Sequence, residues 1–249
     1  MAVYYLNRGL ILEQSIIAVL HEYLETIDVD GLYKNFHIDV TNSHPFASLY
    51  LHNNLNASDL FPAIVVSTQN DDKTGDLAQL PACIDVVGLS TQDIDYLTKT
   101  TDKDGKKIPG LVNVATQKVI DEIKGVINEQ GYVYGLDIKT RRTDRIGIEI
   151  WADNEQVKNE LYEIIRLFLP AGLLMQLEQK YKDFDISLFD HTLHGQRGGN
   201  YNMDFGVALS GASLTIEVNY CIEQVIVDTE ITNIQDVIPG AKNYVKTNR

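Results

Sequence analysis

The sequence predicts an α+β fold, a mainly antiparallel sheet with helices packed on one face. The order of elements is the first reason, running helix, loops, strand, strand, helix, strand, strand, helix, strand, hairpin. The second is the stretch from Arg145 to Trp151, where Ile146, Ile148 and Ile150 alternate strictly with Gly147, Glu149 and Trp151, the mark of a strand with one face in a core. A third is the crowding of turn formers into residues 28–60 and 70–107, which read as loop-rich insertions in a single domain spanning 1–249.

Composition narrows the classes. The chain has 249 residues, 44% hydrophobic and 22% charged, enough to bury about 70% of the surface its unfolded form exposes and to need no staples. Lys plus Arg total 21 against 35 Asp plus Glu, and the formal charge of -14 argues against a surface that grips nucleic acid or an anionic membrane. Cys83 and Cys221 form no disulfide framework and no C-x-x-C pair, which suits a reducing compartment. The opening residues are interrupted by Arg8, Glu13 and Gln14 and do not read as a signal peptide, and no window has the roughly 20 apolar residues of a membrane span.

Each element follows from its spacing. Leu12, Ile16, Val19, Leu20, Tyr23, Leu24 and Ile27 fall on one helical stripe over residues 10–27. Phe61-Pro62 opens a β-branched run, Ala63 to Ser67, and Cys83 to Leu89 reads as the next strand, between the acidic loops Asn70–Asp76 and Thr101–Lys107. Val119, Ile120, Ile123, Val126 and Ile127 mark a helix from Val114 to Ile127 with Gly131 as its stop. Tyr132–Ile138 and Arg145–Trp151 read as two strands. Asp153 is the expected N-cap of the next helix, closing a box with Gln156, and the helix runs through Val157, Leu161, Ile164, Ile165 and Phe168 to Pro170, with further helical turns over Leu173–Tyr181. Ser210-Gly211 reads as a two-residue hairpin turn that sets Leu209 against Ala212, Val207 against Leu214, Phe205 against Ile216, Met203 against Val218 and Tyr201 against Tyr220. That register puts Phe205 and Ile216 on the core side and turns Asp204, Glu217 and Asn219 away.

The search for chemistry returns little. There is no G-x-G-x-x-G, no G-x-x-x-x-G-K and no G-x-S-x-G. Asp190, His191 and His194, with Arg197 among Gly195, Gly198 and Gly199, form the one polar cluster from which a small-molecule or nucleotide enzyme could be built, though the run reads better as a polar loop. Asp102, Asp104 and Gly105 resemble a calcium loop but place the glycine fourth rather than sixth, so a solvated turn is the expectation. Cys83 beside an apolar strand reads as packing. The thirteen tyrosines suit interfaces and half-buried core positions alike. Neither a cofactor nor a bound metal is expected, and no catalytic residue is assigned. A third reading is an intracellular binding module without chemistry.

Ile146-Gly147-Ile148-Glu149-Ile150-Trp151-Ala152, followed by Asp153-Asn154-Glu155-Gln156-Val157-Lys158-Asn159-Glu160-Leu161, resembles the tail terminator (tail completion) proteins of tailed bacteriophages. In that family an alternating strand ending in an aromatic and a small residue runs into a helix of this kind. Leu60–Val66 resembles the strand entered through a proline after the family's first helix, and Tyr201–Val207 and Leu214–Val218 resemble late strands of its sheet. The resemblance implies a homo-oligomeric ring, commonly a hexamer, that caps the tail tube, faces the head connector and lets DNA pass its lumen without specific binding. It implies no catalysis, no membrane and a place in the virion after assembly in the host cytoplasm. The surplus at Asp28–Asn56 and Asp71–Lys107 leaves room for a neck-type or sheath-contacting variant. Asp71, Asp72, Lys73, Asp102, Asp104 and Glu217 are the interface residues expected of such a ring.

Overall fold

The computed structural model describes residues 3–27, 38–43, 60–69, 81–184, 187–196, 200–202 and 208–229. In chain order these form β1 (Val3–Leu10), α1 (Leu12–Thr26), β2 (Asp39–Thr41), β3 (Ala63–Thr68), β4 (Pro81–Leu89), α2 (Thr91–Thr98), β5 (Leu111–Asn113), α3 (Gln117–Gln130), β6 (Val133–Ala152) and α4 (Glu155–Phe168). A π turn (Leu169–Leu173), α5 (Leu174–Tyr181), a 3-10 turn (Lys182–Phe184), β7 (Ser187–Gln196), β8 (Asn200–Asn202) and β9 (Ala208–Asp228) follow. The fold is α+β. Its nine-stranded sheet is antiparallel except where β2 runs parallel to β3.

Two strands of about twenty residues make the spine. β6 and β9 pair without a register shift from Tyr134 opposite Asp228 to Ala152 opposite Ser210. Shorter strands line both outer edges: β4 and then β3 along β6, and β1, β7 and β8 along β9. β6 buries Ile146, Ile148, Ile150 and Ala152, and β9 buries Ala212, Leu214, Ile216, Val218 and Tyr220, all in one cluster with α1, α4 and α5. At the other end the buried residues are Val133 of β6 and Val225 and Val227 of β9, clustered with Leu6, Val87, Leu89 and the apolar stripes of α2 and α3. Side chains alternate along a strand, so the even-numbered first set and the odd-numbered second set lie on opposite surfaces of the ribbon. Helices therefore cover one surface of the ribbon at one end and the opposite surface at the other, where the sequence predicts helices on a single face.

β1 carries the chain across this change. Its Leu6 belongs to the second cluster and its Leu10 to the first, and between them Arg8 is 5% exposed. The Arg8 guanidinium donates to the carbonyl of Phe184 at 2.6 Å and to that of Tyr96, and stacks over both rings, 4.8 Å from Tyr96 and 5.3 Å from Phe184. Both carbonyls lie at the ends of helical turns, where the aligned peptide dipoles favour a cation. One buried cation thus ties α2, over one core, to the turn after α5, over the other.

Local chemistry explains the ends of the helices. Ser90 and Asp93 form a reciprocal capping box on α2, with Ser90 N–H donating to Asp93 Oδ2 at 2.8 Å. Gly131 closes α3 with φ at 88° and its N–H on Ile127 O at 2.6 Å, as its position predicts. α4 is capped by Asn154, whose Oδ1 accepts from Gln156 N–H at 2.8 Å, so the cap falls one residue after Asp153 and no box with Gln156 forms. Val157, Leu161, Ile165 and Phe168 are the buried stripe of α4, each contributing about 1.5–3 kcal/mol through burial.

Four expectations need correction. The ribbon is continuous where two strands were expected, because the polar run Lys139–Asp144 is held across the sheet rather than released into a turn: Thr143 donates to Asn219 Oδ1 at 2.5 Å, and Tyr220 donates to Asp144 Oδ2 at 2.6 Å. Ser210-Gly211 is not a turn. β9 runs straight through it, and β8 returns on β9 with Tyr201 opposite Leu209 rather than Tyr220. Gly211 is required because the Trp151 ring lies on it, where a Cβ would come within 2.7 Å of the indole. Met203, Phe205 and Val207 lie outside the described residues, while Leu214, Ile216 and Val218 face Gly195, Leu193 and His191 in register. Asp190, His191 and His194 belong to a strand, β7, not to a loop, and a bulge between Leu188 and Asp190 adjusts its register. Lastly, residues 3–10 are a strand ahead of the first helix, and the second insertion holds, besides the expected strand now seen as β4, the unexpected helix α2, both packed into the second core.

Candidate functional site

Where the ribbon passes from one core to the other, neither end's helices dictate its residue types, and the chain becomes polar. On the odd-numbered surface β6 presents Asp137, Lys139, Arg141, Thr143 and Arg145 in succession, and β9 sets Glu223 opposite Lys139, Cys221 opposite Arg141, Asn219 opposite Thr143 and Glu217 opposite Arg145. Opposite charges across a strand pair stabilise the register, each by about 0.2–1 kcal/mol. Arg145 Nη2 donates to Glu217 Oε2 at 3.2 Å, with both side chains about one-third exposed. Trp151 Nε1 donates to Glu149 Oε2 at 3.0 Å and packs with Phe61, Ala63 and Leu209, closing the far end of this surface. Beside this ladder the Cys221 thiol is pushed up by burial, an effect the nearby Lys139 and Arg141 oppose. An acidic chain thus gathers Lys139, Arg141, Arg142 and Arg145 on its central strand.

Asp102 and Asp104 lie elsewhere. Asp102 Oδ1 accepts from the backbone N–H groups of Asp104 at 2.9 Å and Lys106 at 2.8 Å, and Thr101 pairs with Lys107 to close the loop. The Asp102 carboxylate is occupied in shaping a turn, as an Asx residue does. The loop walls a cleft of about 210 Å³ together with Ile108, Pro109, Glu22 of α1 and Lys180 of α5, where Lys180 Nζ meets Glu22 Oε1 at 2.6 Å. α1 and α5 cover the even-numbered surface, so the sheet lies between this loop and Glu217, and the expected interface residues do not form one patch. Asp71, Asp72 and Lys73 lie outside the described residues, as do Arg197, Gly198 and Gly199. Among the described residues no group of three or more His, Cys, Asp or Glu is placed to hold a metal ion, and no helix is long and apolar enough to cross a membrane.

The even-numbered surface at the second end was missed. Over the second core the helices sit on the odd surface, which leaves Val3 and Tyr5 of β1, Ile84 and Val86 of β4, Leu136 and Ile138 of β6 and Ile226 of β9 facing outward. Tyr5 is 55% and Ile84 57% exposed. Val3, Val86, Tyr134, Gly135, Leu136, Ile226 and Asp228 line a shallow apolar cavity of about 190 Å³ on this surface. The signal was present in Val3-Tyr4-Tyr5-Leu6 and Val225-Ile226-Val227, which are apolar at successive positions and so apolar on both faces. No family model and no curated protein sequence matches this chain.

Proposed function

We propose that the chain is a structural virion protein of the tail terminator or neck type, a homo-oligomeric ring that caps the tail tube and joins it to the head connector. The observation that carries the reading is the strand-to-helix unit on which the sequence resemblance rests: Ile146–Ala152 of β6 passes through Asp153 and Asn154 directly into α4, and the two bury a common face. The odd-numbered surface of the same strand offers a neighbour the half-buried ladder around Arg145 and Glu217. Paired charges with polar neighbours suit an interface that sets orientation and excludes wrong partners more than one that supplies raw affinity. A ring of this kind, with six subunits expected, needs no catalytic group, leaves DNA to pass an acidic lumen unbound, and accommodates contact with a contractile sheath.

Mass photometry of the purified protein, alone and with tail tubes, tests this. A closed oligomer, or end-on binding to tubes that Glu217→Lys abolishes while the chain still folds with only a small fall in its melting temperature from the lost Arg145 pair, is the expected result. A protein that stays monomeric and ignores tube ends contradicts it.

A further inference from the structure

Of the seven large apolar side chains exposed among the described residues, Val3, Tyr5 and Ile84 lie on the uncovered sheet surface over the second core, and Leu167 and Met175 lie on one outer stripe of helix over the first. Exposure gathered into two patches marks contacts, where single scattered residues would not. α4, the π turn and α5 form one run of helical backbone from Glu155 to Tyr181. Its outward side is polar before the stripe, at Glu163 and Arg166, and after it, at Glu178, but residues 167–175 have no polar side chain. Phe168, Leu169 and Leu173 are buried in the first core, while Leu167, Pro170, Ala171 and Met175 face out, Leu167 being 78% and Met175 65% exposed. A helix that is apolar all round is ordinarily buried all round. The sheet surface repeats the pattern in strands: Val86, Leu136 and Ile226 face out beside Tyr5 and Ile84, the same strands are apolar on their other side, and Asp228 is the one charged residue lining the cavity there. Strands apolar on both faces belong to sheets covered on both.

We propose that residues 167–175 of one copy seat on this sheet surface of a second copy, a contact that rests on the ring reading and names what joins its subunits. The stripe points away from the sheet of its own chain, so only another copy brings it to the bare surface. Shape agrees. The helices over the first end stand about 10 Å proud of the ribbon, and on the same, even-numbered surface the second end lacks that layer, which leaves a shelf one helix deep for a neighbour's helix to fill. Charge agrees as well: at a formal -14 two copies repel as bodies, and the stripe and the shelf are patches where they approach without setting carboxylates together. Because the two patches differ, the contact is head-to-tail, each copy giving a stripe and receiving one, and such contacts close a ring when the rotation between copies divides a full turn. Four strands about 4.8 Å apart and about 17 Å long make a shelf of roughly 300 Å², against about 800 Å² from each partner in a stable pair. Closure, which gives every copy two contacts, is therefore favoured over an isolated dimer.

Cross-linking between singly substituted full chains tests this, under whichever condition, free or on tube ends, assembles the unaltered chain. In a Cys83→Ser, Cys221→Ser background, Ile84→Cys and Met175→Cys chains are mixed and treated with a short bis-maleimide. Cross-linked pairs at least about tenfold more abundant in the mixture than in either chain alone are the expected result, since neither chain alone carries both partners. Leu167→Glu with Met175→Glu is expected to raise the concentration for half-assembly at least about tenfold, with the helical circular dichroism retained because both side chains are exposed. An assembly whose mixed chains do not cross-link above either alone, or one that the two glutamates leave intact, overturns the proposal and leaves the ring reading standing. Cross-linking of the Ile84→Cys chain to itself also overturns it, by assigning the surface to a face-to-face pair. A chain that assembles under neither condition overturns both.

Discussion

The two ends of the β6–β9 ribbon are built from the same strands in opposite phase. Over residues 212–220, β9 buries its even-numbered side chains under α1, α4 and α5 and leaves Ser213, Thr215, Glu217 and Asn219 half-buried. Over 225–227 it buries the odd-numbered ones under α2 and α3. A strand has two surfaces, and helices placed on one surface at one end and the other at the next force its apolar pattern to slip by one residue between them. The slip occurs around 221–224, where Cys221, Ile222 and Gln224 are half-buried and Glu223 is buried. The uncovered surfaces differ accordingly: the first end turns out a charge ladder, the second an apolar sheet.

The comparison can be broken most severely in its cores. Ile216, fully buried, should lose about 2–5 kcal/mol on replacement by alanine, and Ile123→Ala should cost a similar amount at the other end; chemical denaturation gives both. Next comes the seam. Arg8→Met removes the donor to the buried Phe184 carbonyl and the partly buried Tyr96 carbonyl and should cost about 2–4 kcal/mol, with hydrogen exchange rising in α2 and around Phe184 together rather than in one core. Gly211→Ala drives a Cβ against the Trp151 ring, and about 1–3 kcal/mol with a shift in Trp151 fluorescence is expected. Were Ser210-Gly211 a turn remote from Trp151, the fluorescence would not move.

Alkali should weaken the first core. Burial pushes the Tyr181 hydroxyl from 10.0 up to about 12, against a hydrogen bond with Ser15 Oγ that lowers it, and the hydroxyl donates to Pro109 O at 2.7 Å. The unfolded chain releases this proton near pH 10 while the folded chain keeps it. Its contribution is therefore complete below pH 10 and lost toward pH 12, at about 1.4 kcal/mol per pH unit. Tyr220, raised in the same direction by burial and by its bond to Asp144, adds to the slope. Tyr181→Phe should flatten a plot of stability against pH over this window. The smallest effect belongs to the ladder: Glu217→Ala should cost about 0.2–1 kcal/mol, as for a partly exposed ion pair. A loss at Glu217 matching that at Ile216 would remove the distinction between the surfaces.

What the sequence disclosed follows the range of the physics. The α4 stripe, the Gly131 stop and the alternation of Leu214, Ile216 and Val218 against Thr215 and Glu217 are local patterns, and each is present in the structure. Asp102 was legible as a turn former because its hydrogen bonds reach only to Asp104 and Lys106. Gly211 was misread because its reason lies across the ribbon, in the Trp151 ring, while an isolated Ser-Gly is an ordinary turn signal. Lys139–Asp144 looked like a break for the same reason, since the partners that keep it extended, Asn219 and Tyr220, come from β9. β1 went unseen because a strand apolar on both faces has no alternation and merges with the apolar start of α1. The apolar outer surface was lost with it.

The phase reversal is the central claim, and a cysteine scan along β9 in a Cys83→Ser, Cys221→Ser background tests it most directly. Single cysteines at 215, 216, 217, 218, 225 and 227 are labelled with a thiol probe under native conditions. Fast labelling at 215 and 217, slow labelling at 216 and 218, and slow labelling again at 225 and 227 is the predicted result. Labelling at 225 and 227 as fast as at 217 would mean that one phase runs the length of the strand, and would contradict a ribbon covered on opposite surfaces at its two ends.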